Sequence, residues 1–221
     1  MPIAYSQGFT PHPKISYASA APTGVASEAE YLEIGLQSIM EPEQVRVALD
    51  AALSPGLDVL EVTPAAGGTS LADLIDASRW RIELPECDEA RAQAAVEAFM
   101  AAGEVLVERM TKQGRRTFDT RAAVVSLVLS HADAVKGVTP DATSGQPCAI
   151  LDAVVRQVTP TVRPDDVLAG LRVVADLEPP VPPRATRLAQ GRLTPQGEIV
   201  DPLVADDHAT TDSALIGEPS E

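Results

Sequence analysis

Along the first 176 residues, apolar positions either alternate with polar ones or recur at helical spacing, and the two periods set out an order of elements. Pro2-Ile3-Ala4-Tyr5 reads as a short extended run, and Gln7-Gly8 as a turn, because Gly8 tolerates positive φ. Pro11 and Pro13 fix their own φ and push Thr10 and His12 toward extended geometry, which excludes helix there. Lys14 to Ala18 and Glu30 to Leu36 then alternate as strands. Glu41-Pro42-Glu43 opens a helix, with Pro in its first turn and acids where the macrodipole favours them. Val45, Leu49 and Leu53 follow at helical spacing until Pro55-Gly56. Leu57 to Val62 alternates as a further strand.

The pattern restarts after a flexible connection, Ala65 to Thr69, and a short helical entry from Ser70 to Ile75 with Ser70 as its cap. Arg79 to Leu84 reads as a strand ended by Pro85. Asp88 to Ala102 reads as an alanine-rich helix facing inward with Ala92, Ala95, Val96 and Phe99. Glu104 to Met110 is a strand, Lys112 to Arg116 a basic turn, and Thr120 to Leu129 a long apolar strand. His131 to Pro147 is a loop, Cys148 to Val158 a strand, Arg163 to Leu171 a capped helix, and Arg172 to Ala175 a closing strand.

The fold class that follows is α+β, with two ferredoxin-like (split β-α-β) halves. Residues 1–65 form an incomplete half without its opening strand and helix, and 66–77 form a linker. Residues 78–176 form the second half, 177–193 a Pro/Arg-rich spacer whose Pro179-Pro180-Val181-Pro182-Pro183 run is polyproline II, and 194–221 a disordered acidic tail. Sheets bury one face against helices, so the missing helix of the first half leaves one sheet face bare and suggests a truncated start.

Composition narrows the chemistry. The chain is 45% hydrophobic but only 3% aromatic, so its core consists of small interlocking side chains. It contains no apolar run of about 18 residues, so no membrane helix is expected, and its start lacks the order of a signal peptide. Cys87 and Cys148 are too few for a disulfide framework and read as small buried hydrophobes in a reduced, cytoplasmic compartment. The net charge of −15 argues against a broad nucleic-acid surface, and no DNA partner is expected. Seven of those charges lie between Gln196 and Glu221 with no Lys or Arg, leaving −8 for the rest, so a local basic face stays open. No phosphate loop, dinucleotide glycine motif or Cys/His zinc spacing occurs, so no metal or cofactor is expected.

Two sets of residues carry candidate function. Tyr5, Ser6, Gly8, Phe9, Pro11, His12, Pro13 and Lys14 concentrate aromatic, turn-forming and ionisable groups, with His12 held on a stiff connection near Lys14. This suits an anion such as phosphate, or is a rigid turn with a solvated His. Arg109, Lys112, Arg115, Arg116 and Arg121 surround the basic turn and either contact RNA phosphates or blunt an exposed edge. Trp80 could stack a base, but the alternation of its strand favours the core. His131 with Asp133 reads as a solvated pair.

The run Ala4-Tyr5-Ser6-Gln7-Gly8-Phe9-Thr10-Pro11-His12-Pro13-Lys14-Ile15-Ser16-Tyr17 resembles the signature of a bacterial family of unknown function linked to radical SAM proteins. Gly24-Val25, Ser27 to Glu33 and Pro55-Gly56-Leu57 fit the same family, and the resemblance spans about residues 1–175, strongest in the first 36. It implies genes beside or fused to radical SAM proteins, often near ribonuclease E/G genes, and hence a setting of RNA modification or processing. Members open with a strand and a helix carrying a Phe-Leu-Ser-His-Leu-Asp-like motif, which does not precede Tyr5 here. Two cysteines cannot supply the three closely spaced ligands of a radical SAM cluster. The expectation is therefore an accessory protein for a radical SAM partner, not an enzyme on its own, with RNA as a second partner. An RNA-cleaving or RNA-modifying enzyme using His12 and Lys14 is the alternative, and a truncated product of a misplaced start codon the third reading.

Overall fold

The computed structural model describes residues 1–65, 69–112, 114–130 and 148–204. Its centre is built from the stretch with the clearest periodicity. Strand β4 (Ala77–Pro85) buries Trp80, Ile82 and Leu84 on one side. Helix α2 (Glu89–Ala101) starts at Asp88, whose side chain accepts from the Arg91 N–H at 3.0 Å, and buries Ala92, Ala95, Val96 and Phe99. Strands β7 (Val124–Ser130) and β8 (Cys148–Arg156) and helix α3 (Pro164–Ala175) complete the layer pair. Both helices lie against one face of the sheet and against each other around a core of small side chains.

That sheet runs β10-β9-β4-β8-β7, where β9 is Arg184–Leu193 and β10 is Ile199–Val200. Its pairings along this path are antiparallel, and β2 (Ala26–Ser27) adds to β9 in parallel. A separate hairpin of β5 (Leu106–Thr111) and β6 (Gly114–Asp119) packs beside α3. The first half contributes β1 (Ile15–Ala18) paired with β3 (Tyr31–Ile34), and α1 (Pro42–Asp50). Residues 1–65 form no four-stranded sheet.

Five expectations are corrected. Leu57 to Val62 is not a strand: no strand among the described residues pairs with it, and α1 holds both backbone groups of Val59. Asp50 accepts from the Val59 N–H at 3.0 Å, and Arg46 donates to the Val59 carbonyl at 3.4 Å. Arg172 to Ala175 continues α3, because Val167, Leu171 and Val174 keep the helical stripe against the core, and Asp176 ends the helix at φ 49°. The spacer at 177–193 holds β9, and the tail begins later than Thr194, since Thr194 to Gly197 turns the chain into β10. Arg115 and Arg116 belong to β6 rather than to a turn. The expected loop at 131–147, with His131 and Asp133, and the tail beyond residue 204 lie outside the described residues.

The close approach of the two helices depends on Gly170. A Cβ there would lie 2.6 Å from Phe99 Cε2, 3.1 Å from Thr120 Oγ1 and 3.2 Å from Val105 Cγ1. Phe99 and Thr120 are fully buried, and Thr120 Oγ1 donates to the Val105 carbonyl at 3.0 Å, so neither can yield. Gly170→Ala is expected to lower unfolding free energy by about 1–3 kcal/mol through overpacking, read by urea denaturation.

Candidate functional site

The Tyr5–Tyr17 segment folds back on itself through local hydrogen bonds. The Ser6 N–H donates to the His12 carbonyl at 2.8 Å, and the His12 N–H donates to Ser6 Oγ at 3.0 Å. Gly8 takes φ 139°, which closes the loop and leaves Phe9 fully exposed at its tip. Tyr5 bridges Pro13 and Ile3 bridges Leu36, so residues 3–5 join the end of the β1–β3 pair. Lys14 lies along Gly35, where a Cβ would meet Lys14 Cβ at 2.9 Å. His12 and Lys14 are exposed, and neither side chain has a hydrogen bond or ion pair among the described residues.

Pairing and alternation divide this small sheet into two unlike faces. Residues directly opposite each other project to the same side, and so do residues two apart. Ile15 lies opposite Ile34 and Tyr17 opposite Leu32, while the bridges add Ile3 with Leu36 and Tyr5 with Pro13. One face is therefore entirely apolar. The other carries Ala4, Lys14, Ser16, Ala18, Tyr31, Glu33 and Gly35, and only its Ala18–Tyr31 end packs inward: Ala18 is buried with Leu71 and Ile75 and Tyr31 packs beside them, while Lys14 and Ser16 are exposed. The apolar face looks outward, with Tyr17 65%, Tyr5 54%, Leu32 40% and Ile15 37% exposed. A sheet face that is apolar at every position and largely turned to solvent departs from the usual arrangement of a sheet.

The segment behind this face is fastened to the C-terminal strands. Arg187 on β9, only 2% exposed, donates to the Ser19 carbonyl at 2.7 Å and to Ser27 Oγ at 3.3 Å, and pairs with Glu30 through a short hydrogen bond. Its guanidinium lies over the Trp80 ring, 5.4 Å from the centroid, which places Trp80 in the core. The buried Gln190 donates to the Ala29 carbonyl at 2.6 Å, the Glu28 N–H donates to the Arg187 carbonyl at 2.8 Å, and Tyr31 Oη donates to Asp201 Oδ2 at 2.9 Å. Burial and the Asp201 carboxylate push the Tyr31 hydroxyl well above its ordinary range. None of these fastenings was legible beforehand: the stretch holding Arg187 and Gln190 has neither strand periodicity nor strand composition.

The five basic residues around the β5–β6 hairpin do not form one surface. Arg109 donates to Asp166 Oδ2 at 2.6 Å and to the Thr161 carbonyl at 3.1 Å, and lies over Phe118. Arg121 donates to the carbonyls of Val124 and Met100. Both guanidinium groups are held by the fold. Arg115 pairs with the exposed Glu108 at 3.1 Å, and Lys112 and Arg116 lie exposed near the tip.

Elsewhere, a cleft of about 500 Å3 separates the Pro22–Val25 turn from the start of α3 at Arg163 and Pro164. Cys87 is buried and Cys148 half-buried, both free, and burial raises both thiols above their ordinary range. Among the described residues, no three His, Cys, Asp or Glu side chains gather as metal ligands, and no helix is long and apolar enough to cross a membrane.

The chain belongs to a family described as an uncharacterized protein conserved in bacteria (DUF2344), whose model matches residues 1–164. No curated protein and no solved structure matches it. Strand β9, which holds Arg187, follows the matched region yet lies inside the main sheet.

Proposed function

We propose that this family member is a cytoplasmic accessory protein that docks a partner protein through the outward apolar face of its first half. The observation carrying this reading is the Ile15–Tyr17–Leu32–Ile34 face, apolar on every position and open to solvent. A sheet face of this kind is stabilised by an amphipathic helix laid across it, so the partner's contribution is an apolar helix face. The resemblance of the Tyr5–Tyr17 run points to a radical SAM protein as that partner, with RNA as the material it acts on. The order strand, helix, strand, strand, helix, strand from β4 to β9, with sheet order β9-β4-β8-β7, supports a ferredoxin-like second half carrying a hairpin insertion. An enzyme centred on His12 is less well supported, because no side chain among the described residues orients its imidazole.

Affinity capture of the full chain from its native cells, with and without nuclease, tests this. A radical SAM protein retained after nuclease treatment is the expected result. The double variant Tyr17→Ser with Leu32→Ser should lose that protein while changing stability by only about 0.5 kcal/mol per site, the usual effect of surface substitutions. Capture of the same protein by the variant would remove the apolar face from the proposal. Capture of RNA-bound proteins alone, lost with nuclease, would move the reading toward a direct RNA binder.

A further inference from the structure

Strand β7 closes the main sheet on one side, and its outer edge pairs with no strand among the described residues. The elements packed most closely against it are β8, beside it in the sheet, and α2, across one face. Its sequence, Val124-Val125-Ser126-Leu127-Val128-Leu129-Ser130, holds no charged residue and no proline. Charge and proline are the usual means by which an exposed edge refuses a further strand. Other outer strands of this chain use them. The β5–β6 hairpin carries Glu108, Arg109, Arg115 and Arg116, and β1 is entered through Pro13 and Lys14. Strand β7 has neither, and Val128 on it is 52% exposed. A bulge between Val124 and Ser126 interrupts one end, where a Cβ at Gly197 in the β9–β10 turn would lie 3.9 Å from Val125 Cγ1. The flat, unguarded stretch is therefore Ser126 to Ser130.

We infer that Ser126–Ser130 is a self-pairing edge, where β7 of a second copy of this chain adds antiparallel across a two-fold axis and joins two main sheets into one. The stretch is complementary to itself. With the axis at Val128, Val128 meets Val128, Leu127 meets Leu129, and Ser126 meets Ser130. Residues opposite each other project to the same side. Leu127 and Leu129, which stand opposite Ala153 and Leu151 and pack with the core beneath the helices, therefore meet on the helix side. On the other side, valine covers valine and hydroxyl faces hydroxyl. No like charges oppose each other, and the carboxylate nearest in register, Asp152 across from Val128, is held by Arg79 at 2.6 Å. Five residues give an edge roughly 17 Å long in a sheet about 10 Å deep. That is well short of the roughly 800 Å2 per partner of a standard interface, so the dimer is reversible and depends on concentration. This edge lies on the second half and is independent of the apolar face of the first.

The test is sedimentation equilibrium of the full chain up to about 1 mM, which reads affinities down to that level. Salt of about 0.15 M screens the net charge of −15 between copies. Amide hydrogen exchange along β7 is followed over the same range. The mass should rise from monomer toward dimer with concentration, and the Ser126–Ser130 amides should gain protection in step. Val128→Lys sets two ammonium groups opposite each other at the axis and should weaken the dimer about tenfold or more. It should melt as the parent does, because Val128 is 52% exposed. Val128→Thr, branched and uncharged, should keep the dimer. Should Val128→Lys fail to fold, Ser130→Lys on the same edge must show the same weakening. A chain monomeric throughout, a dimer indifferent to the lysine, or edge protection that ignores concentration overturns the inference. So does a dimer lost with Tyr17→Ser and Leu32→Ser instead, which would place the contact on the first half.

Discussion

Arg187→Met is expected to lower unfolding free energy by about 3 kcal/mol and to loosen the first half from the main sheet. Breaking a buried ion pair by removing one partner costs about 3–5 kcal/mol. The lower end applies because Glu30 is 41% exposed and can turn to water, whereas Arg187 is 2% exposed and cannot be replaced by solvent. The Ser19 carbonyl and Ser27 hydroxyl lose their donor in the same step. Urea denaturation gives the energy, and limited proteolysis within residues 1–65 reports the loosening. A loss below about 1 kcal/mol, the worth of a single ordinary hydrogen bond, would show that the clasp is incidental.

The same clasp has a pH signature. Burial acts to raise the Glu30 carboxyl, but hydrogen bonds from Ser27, Arg187 and the Ala21 N–H outweigh it and hold the group below its ordinary value of 4.5. A carboxyl depressed in the folded state contributes stability that is full above the unfolded value and is lost as pH falls through the folded one. Stability should therefore decline with acid below about pH 4.5, and more shallowly in Glu30→Gln.

Local signals were readable where the residues that make an element also bury it. In α2, Asp88 caps the helix and Ala92, Ala95, Val96 and Phe99 face the core, so period and cap suffice. Strand β9 is the opposite case. Its buried positions are Arg187, Gln190 and Gly191, a polar set that becomes interior only because Trp80, Glu30 and the Ala29 carbonyl come from distant parts of the chain. Strand β6 hides similarly, with Phe118 its one buried residue. Leu57 to Val62 has the right alternation but no neighbour to pair with among the described residues. In α3, Val173 and Val174 favour strand by composition, and packing against the core overrides them. At the candidate site, the stiff loop and β1 were legible from Gly8, Pro11 and Pro13. The alternation of β1 and β3 marks out two faces, but which of them turns outward depends on Leu71 and Ile75, far along the chain, which pack against Ala18.

Arg109 separates a structural cation from a binding one. Arg109→Ala should destabilise the protein by about 3 kcal/mol or more, because it leaves the Asp166 carboxylate, 6% exposed, without its counter-charge. Burial is the main cause that holds the Asp166 carboxyl above its ordinary range, against the Arg163 N–H and the Arg109 guanidinium, which lower it. Removing Arg109 pushes it higher still. A group whose folded value lies above its unfolded one loses stability as pH rises between the two, since the folded state holds the proton longer. The deficit of Arg109→Ala should thus be largest near neutral pH and shrink as acid protonates the folded carboxyl. Lys112→Ala and Arg115→Ala, exposed near the hairpin tip, should change stability by only about 0.5 kcal/mol at either pH. If Arg109→Ala instead kept full stability while weakening the binding of RNA, the guanidinium would be free for phosphate and the Asp166 contact incidental. The buried geometry, with Phe118 beneath the guanidinium and the Thr161 carbonyl beside it, favours the structural role.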